Sequence, residues 1–275
     1  MRTAAHTAAE FSWSYVDAHI LGPVGENASV LLPREQLVLR ICAAGSHERA
    51  RRELRLARWL HVSDVPAAQA INGMDVPLLH EGWAITVWKY VPGVQPASTG
   101  VIGTVLRRLH ELTNPPDIKL PSLNPFDGID GYIDQADLAS GVRSAPRHLE
   151  PALPPGPVHG DAHRKNIVQD RNGNPVILDL ERFSIGLREW DLVIAAVYER
   201  LGWYTAVEYE AFVAAYGWDI RKWSGFETMA AVRELRMTAW LCARTGREPR
   251  LLPEARHRIA SLRQSPGPKQ WRPGT

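Results

Sequence analysis

Three side chains, Asp161, Asn166 and Asp179, carry the chemistry most directly readable in this sequence. They lie within the stretch Pro157 to Val193, PVHGDAHRKNIVQDRNGNPVILDLERFSIGLREWDLV. Asp161 and Asn166 share one polar loop, which leads into a short apolar run, Ile167-Val168. A turn at Arg171-Asn172-Gly173-Asn174 and a second apolar run, Val176-Ile177-Leu178, then lead to Asp179, a pattern that predicts a β-hairpin. Folding that hairpin brings Asp179 back beside the loop, where strands can fix what the loop exposes. Two carboxylates and an amide oxygen meeting there suit Mg2+, a hard cation that takes oxygen ligands and shares them with substrate phosphates. Phosphoryl transfer uses this set: one Asp orients or deprotonates the attacking hydroxyl, and an Asn and a second Asp hold the metal.

A second chemistry fits part of the same stretch. His159, Asp161 and His163 read as His-x-Asp-x-His, which can present alternating side chains on one face of an extended chain as ligands of a hydrolytic metal. No second ligand cluster accompanies them in the sequence.

Protein kinases show the spacing Asp, four residues, Asn, followed later by a metal-binding Asp. Here His159-Gly160 precede Asp161, Asp179-Leu180-Glu181 stands where a kinase has Asp-Phe-Gly, and Arg188-Glu189-Trp190-Asp191-Leu192 follows. Each piece alone is an ordinary turn or helix start; their order is specific. In that combination the chain resembles the aminoglycoside phosphotransferase family of kinase-like enzymes. The resemblance implies an α+β, bilobal protein-kinase-like fold with a small β-rich N-terminal lobe and a larger, mainly helical C-terminal lobe. It implies ATP, with GTP as an alternative, and Mg2+ as cofactors. The reaction implied is transfer of the γ-phosphate to a hydroxyl of a small molecule. An aminoglycoside or other antibiotic leads as acceptor; a sugar, a choline-like alcohol or an amino-acid alcohol remains open, and so does resistance against metabolism. By the same resemblance His159 fixes the loop, and Asp191 anchors it by accepting its backbone N–H groups.

Composition agrees with a soluble globular enzyme. The 275 residues suffice for one large or two ordinary domains, and a hydrophobic share of 45% with 23% charged residues is that of a packed chain. A net charge of +2 gives no basis for a nucleic-acid partner. The most basic run, His47 to Arg58, is interspersed with Glu48, Glu53 and apolar residues and reads as a solvated helix face. The two cysteines, Cys42 and Cys242, lack metal or disulfide spacing. No run approaches the roughly 20 apolar residues of a membrane span, so a cytoplasmic monomer or homodimer without a membrane or nucleic-acid partner is expected.

The elements that must position these groups follow in order. Gly22 to Ser29 lies between apolar pairs and reads as a turn between antiparallel strands; in the resembled family this is the loop that covers ATP phosphates, and an ordinary hairpin fits equally well. Leu37-Val38-Leu39-Arg40-Ile41 reads as a buried strand, and its charged residue needs a partner. By resemblance Arg40 takes the place of the kinase lysine that touches the α- and β-phosphates, with a forked donor suited to phosphate. A strand-edge arginine with its head in water is the alternative, and Arg in place of Lys keeps a nucleotide-binding protein without turnover in view. A helix is predicted from Ser46, its cap, to Leu60. Glu53 falls in it where a kinase pairs its phosphate-binding cation, while an i, i+4 pair with Arg49 is the alternative.

Short strands are expected around Ala67 to Ile71 and Trp83 to Trp88. Lys89-Tyr90-Val91-Pro92-Gly93 then resembles a hinge whose backbone groups near Lys89 and Val91 would bond adenine. This divides the chain into residues 1–92, a nucleotide-binding lobe, and 93–275, a catalytic and substrate-binding lobe. Helical spacing is evident in Val101 to Leu112, where His110 reads as structural, and over 188–201, 206–217, 223–245 and 253–264. Asp127, Asp130, Asp134 and Asp137 form an acidic patch, a solvated face or an attraction for a cationic substrate. Among many aromatics Trp203 is the candidate platform for an acceptor ring, and Glu199, one helical turn earlier, could meet an acceptor amine. The tail after Ser265 is Pro- and Gly-rich and expected to be loose.

Overall fold

In the computed structural model, which describes residues 1–22, 27–127, 149–263 and 269–274, the alternating apolar runs of the first third pair edge to edge. Helix α1 (Arg2–Glu10) precedes β1 (His19–Ile20), β2 (Asn27–Leu32) and β3 (Leu37–Cys42); α2 (His47–Val62) leads to β4 (Leu78–His80) and β5 (Trp83–Lys89). These strands form one antiparallel sheet in the order β1-β2-β3-β5-β4. Leu39 and Ile41 are buried while Arg40 between them points the other way, as the strand period of two requires. The register sets Ser29 opposite Arg40 across β2 and β3. Helix α2 buries Leu54, Leu56, Ala57 and Leu60, and Glu53 with them.

Two expectations change here. Ser46 sits at the N-cap position of α2 but makes no cap hydrogen bond; its hydroxyl accepts from Arg49 Nη2 at 3.0 Å instead. The segment Ala67 to Ile71 is not a continuous strand. Ala67 bridges Ile177 and Ala70 bridges Trp88, so its backbone is satisfied one residue at a time by two different sheets.

By contact density the chain divides into two units. The first comprises Met1–Ala97, Pro115–Lys119 and Lys165–Arg182. Besides the five-stranded sheet it holds β6 (Gln95–Pro96), β8 (Ile167–Gln169) and β9 (Pro175–Ile177), ordered β6-β8-β9. The β8–β9 hairpin pairs Ile167 with Ile177 and Gln169 with Pro175. Asp170 Oδ1 closes its turn by accepting from the N–H groups of Asn172 and Asn174 at 2.8 and 2.9 Å, and Gly173 supplies the left-handed φ of 81°.

The second unit comprises Ser98–Asn114, Leu120–Arg164 and Phe183–Thr275. It contains α3 (Thr99–His110), the antiparallel pair β7 (Gly156–Val158) and β10 (Ser184–Gly186), and then α4 (Glu189–Arg200), α5 (Ala206–Tyr216), α6 (Phe226–Arg244) and α7 (Leu252–Arg263). Helix α5 opens on a capping box between Thr205 and Glu208 and stops at Gly217, whose φ is 95°. It lies so close to α3 that a Cβ on Gly103 would stand 2.6 Å from the Phe212 carbonyl. Met229, Val232, Leu235 and Ala239 of α6 are buried.

The tail is docked, not loose, over the described residues 269–274. Trp271 is 3% exposed; its Nε1 donates to Ser261 Oγ at 2.7 Å, and Arg272 N donates to Glu254 Oε1 at 2.9 Å. Proline and glycine describe backbone stiffness, but one large indole brings enough apolar area, with a polar edge to satisfy, to hold the segment down. Asp130, Asp134 and Asp137 of the acidic patch lie outside the described residues, as do positions 23–26 of the Gly22 to Ser29 turn. Both cysteines are free thiols. No helix among the described residues is long and apolar enough to cross a membrane.

Candidate active site

In the first unit the site is built around Arg40. The side chain leaves β3 and meets Glu53 of α2, Arg40 Nη1 donating to Glu53 Oε2 at 2.7 Å. Its Nη2 reaches Asp179 Oδ1 at 3.3 Å and Glu181 Oε2 at 3.0 Å. Glu53 is therefore the partner of Arg40, whereas Arg49 turns to Ser46. One guanidinium thus faces three carboxylates. Burial opposes the charge on Arg40, but Glu53, Asp179 and Glu181 outweigh it and raise its pKa. Burial pushes the Glu53 carboxyl up to about 7, against the lowering pull of Arg40 and with Glu181 and Asp179 adding to the rise.

The hairpin carries the other two groups. Leu178 N donates to Asn166 O at 2.7 Å, which extends the β8–β9 ladder and sets Asn166 across from the residue before Asp179. Asp179 adopts a left-handed φ of 57°, a conformation Asp tolerates better than most residues. Its side chain is 41% exposed. Asn166 and Asp179 offer hard oxygen donors, Glu181 stands two residues on, and negative charge exceeds positive charge around Arg40. That donor set fits a divalent cation such as Mg2+, which needs only one or two protein carboxylates or amides when phosphates supply the rest.

The remaining residues named for the nucleotide also fall in the first unit. Ser29 is half-buried in β2, and its carbonyl accepts from Leu21 N at 2.8 Å. Lys89 ends β5, with its N–H bonded to Gln69 O at 2.8 Å and its Nζ to Gln69 Oε1 at 3.1 Å. Val91 follows in a half-buried segment without regular structure.

In the second unit three consecutive side chains in the first turn of α4 anchor the chain that leads to Asp161, Glu189 before β7 and Trp190 and Asp191 in the loop itself. Glu189 Oε1 accepts from Ala152 N and Leu153 N at 2.7 and 2.8 Å. Trp190 Nε1 donates to Gly160 O at 2.9 Å. Asp191 Oδ2 and Oδ1 accept from His159 N and Gly160 N at 2.7 and 2.8 Å. Successive helical residues point in different directions, so one turn can pin three places on a neighbouring chain. The buried His110 completes the knot, its two ring nitrogens lying 2.9 Å from Tyr216 Oη and 3.2 Å from Asp191 Oδ2. His159 is fully buried, and its Nδ1 accepts from Asp161 N at 3.2 Å.

Asp161 itself is half-buried. Arg233 Nη2 donates to its Oδ1 at 2.6 Å, and His163 Nε2 lies 3.5 Å from its Oδ2. Burial alone would raise the carboxyl pKa; Arg233 and His163 outweigh it and hold Asp161 well below the ordinary carboxylate range. Arg233 was not among the residues that motif spacing singles out. It lies in the apolar stripe of α6, and nothing in its own neighbourhood marks a partner 72 residues away. Glu181 was visible only as the last letter of Asp-x-Glu, and its link to Arg40 becomes evident only in the fold.

The residues expected to face an acceptor are engaged within the protein. Trp203 Nε1 donates to the Trp271 carbonyl at 2.7 Å, and its ring meets Tyr198 edge-on at 4.9 Å. Glu199 Oε2 lies 3.7 Å from Arg221 Nη1. Among the described residues no group of three or more His, Cys, Asp or Glu is placed to hold a metal. For His159, Asp161 and His163 the reason is visible: His159 Nδ1 is occupied by a backbone N–H, and Asp161 is paired with Arg233.

Comparison with known proteins places these features in context. A family model described as the phosphotransferase enzyme family matches residues 26–235. Among solved structures, a choline/ethanolamine kinase family protein from Mesorhizobium loti is 21% identical, with a TM-score of 0.66 over 95% of this chain and 92% of that one. A microcompartment-associated aminopropanol kinase is 17% identical, with a TM-score of 0.69 over 95% of each chain. The ADP-bound aminoglycoside phosphotransferase APH(2'')-Ib is 15% identical, with a TM-score of 0.58 over 98% of this chain and 99% of that one. No curated protein is similar enough in sequence to count as a relative. The fold is therefore the α+β fold of kinase-like phosphotransferases.

Proposed function

The chain belongs to the phosphotransferase enzyme family; from that premise we propose that it is a small-molecule kinase that moves the γ-phosphate of ATP, with Mg2+, to a hydroxyl of an amino alcohol or aminoglycoside. The observation that carries this reading is the grip around Arg40, where a strand cation is braced by a helix carboxylate at 2.7 Å and touches the Asp after the hairpin at 3.3 Å. Kinases use that combination to hold phosphates and metal together. Arg40 would steady the ATP phosphates with Glu53 bracing it, and the backbone of the turn leading to Ser29 would cover them. Backbone groups at Lys89 and Val91 would bond the adenine. Asn166 and Asp179 would hold Mg2+, whose contribution is to neutralise charge on the phosphates.

Asp161 would orient the acceptor hydroxyl. The acceptor oxygen bonds to the γ-phosphorus, the bond from that phosphorus to the bridging oxygen breaks, ADP leaves with the electron pair, and the hydroxyl proton passes to Asp161. Catalysis of this kind rests on placement and charge more than on covalent intermediates. His159 and Asp191 would keep the loop in shape. The acceptor would lie against the helical unit near Trp203 and Glu199, and an amine that reaches Glu199 must displace Arg221. The similar solved structures include an aminopropanol kinase and an aminoglycoside phosphotransferase, which makes hydroxylated amines the first acceptors to try.

A coupled ADP-release assay over a panel of hydroxyl compounds, run with ATP or GTP and with or without Mg2+, tests the proposal. Metal-dependent ADP release with one class of acceptor is expected. Nucleotide binding with no acceptor phosphorylated across the panel would favour a kinase-like binding protein instead.

A further inference from the structure

The helical unit buries one cation whose cost packing does not explain. Arg233, in the middle of α6, is 3% exposed, while Met229, Ala230, Val232 and Leu235 around it in sequence are apolar. Its Nη2 donates to Asp161 and the Tyr198 hydroxyl lies beside the guanidinium, while Nε and Nη1 meet no hydrogen-bond partner among the described residues. Its guanidinium carbon lies 5.5 Å from the Trp190 ring, the same side chain that ties Gly160 in place. A buried guanidinium with unsatisfied donors destabilises a fold relative to an apolar residue of similar volume. Its retention in the core therefore points to a task other than stability.

We propose that Arg233 is a positioning residue for phosphoryl transfer, whose contact with Oδ1 of Asp161 locks that carboxylate in one orientation so that Oδ2 meets the acceptor hydroxyl. The inference rests on the reading of Asp161 as the acceptor-side carboxylate. Among the described residues, the groups near Asp161 include Arg233 on α6, His163 and His159 on its own loop, and Tyr198 of α4, which lies beside both Asp161 and Arg233. With Oδ1 held at 2.6 Å by Arg233 Nη2 and Oδ2 3.5 Å from His163 Nε2, the carboxylate has little rotational freedom. Paired with a buried cation it is also a weak base. It therefore aims the acceptor O–H and receives the proton late, once the new oxygen–phosphorus bond is forming, which suits the loose transition state of phosphoryl transfer.

The test compares Arg233→Met and Arg233→Lys with the parent by steady-state kinetics across pH, alongside nucleotide affinity and near-UV circular dichroism. For Arg233→Met the expected result is a fall in kcat of about 10²-fold with nucleotide affinity within about twofold. The acid limb of the kcat profile should move toward neutral, because Asp161 loses its cation while staying in a buried setting. Arg233→Lys keeps the charge but not the placement of Nη2 against Oδ1, and should fall between the two. A purely structural arginine would lower the melting temperature without moving that limb. Arg233→Met with kcat within about threefold of the parent, or with a loss of kcat and an unmoved limb, overturns the proposal. If that variant does not fold, Arg233→Lys decides: reduced kcat with a displaced limb supports the proposal, and parent-like kcat with the limb unmoved overturns it. Asp161→Asn is run in parallel. Retained turnover there removes the reading of Asp161 and this inference with it, whereas lost turnover there beside parent-like Arg233 variants removes this inference alone.

Discussion

Around Arg40 a single guanidinium serves three carboxylates, Glu53, Asp179 and Glu181, at 2.7, 3.3 and 3.0 Å. Around Asp161 the carboxylate meets a buried guanidinium at 2.6 Å and the His163 ring at 3.5 Å, and the adjoining loop is closed by Asp191 on two backbone N–H groups. The first region carries surplus negative charge, and the cost shows in a Glu53 pKa pushed up to about 7 by burial, with the neighbouring carboxylates adding to the rise. The second sets Arg233 and His163 against Asp161 and holds that carboxylate ionised. The contrast teaches a division of labour: a cluster with excess oxygen charge is suited to receive a divalent cation and phosphates, and a charge-paired, fully tied loop is suited to present one group without rearranging.

Four substitutions break or sharpen this contrast. The largest effect is expected from Asp161→Asn, which removes the carboxylate of the second region. Turnover should fall by roughly 10²–10⁴-fold, the usual worth of a positioned proton acceptor, while calorimetry finds ATP affinity nearly unchanged; parent-like kcat would end its assignment. Asp191→Ala should follow. It strips two backbone N–H groups and His110 of one buried partner, so urea unfolding should show a loss of about 3–5 kcal/mol. A loss below about 1 kcal/mol would mean that the loop holds itself without that anchor.

In the charge-surplus region Asp179→Asn keeps the backbone shape and removes one negative charge. Nucleotide affinity measured with Mg2+ should drop at least about 10-fold, and affinity without metal should stay the same. Equal losses in both conditions would argue against a metal role.

The smallest effect concerns pH. The folded-state pKa of Glu53 lies above its unfolded value, so its protonated form favours folding. That contribution is complete below about pH 4.5 and is lost as pH rises through about 7. Glu53→Gln should therefore flatten the pH dependence of stability in this window. A pH–stability curve that overlays the parent's would show that the surplus charge is relieved elsewhere.

Much of the architecture was legible because it follows local periodicity. The hairpin between Ile167 and Ile177 was marked by its Asn-Gly turn, and the helices of the second unit fall within a few residues of their apolar spacing. What stayed hidden depends on distant or non-periodic contacts. Arg233 finds Asp161 across 72 residues. Ala67 to Ile71 looked like a strand by composition, yet its partners are split between two sheets. Over residues 269–274 the tail departs from its Pro and Gly content because one tryptophan, 3% exposed, holds it down. Ser46 has the right type for a helix cap, but Arg49 takes its hydroxyl first.

The left-handed backbone at Asp179 has a consequence for how this position tolerates variation. A φ of 57° suits Gly and Asn along with Asp and penalises branched side chains. A saturation library at codon 179 sorted for soluble expression should thus enrich Gly and Asn beside the parent residue. The same library sorted for Mg2+-dependent nucleotide binding should retain Asp alone.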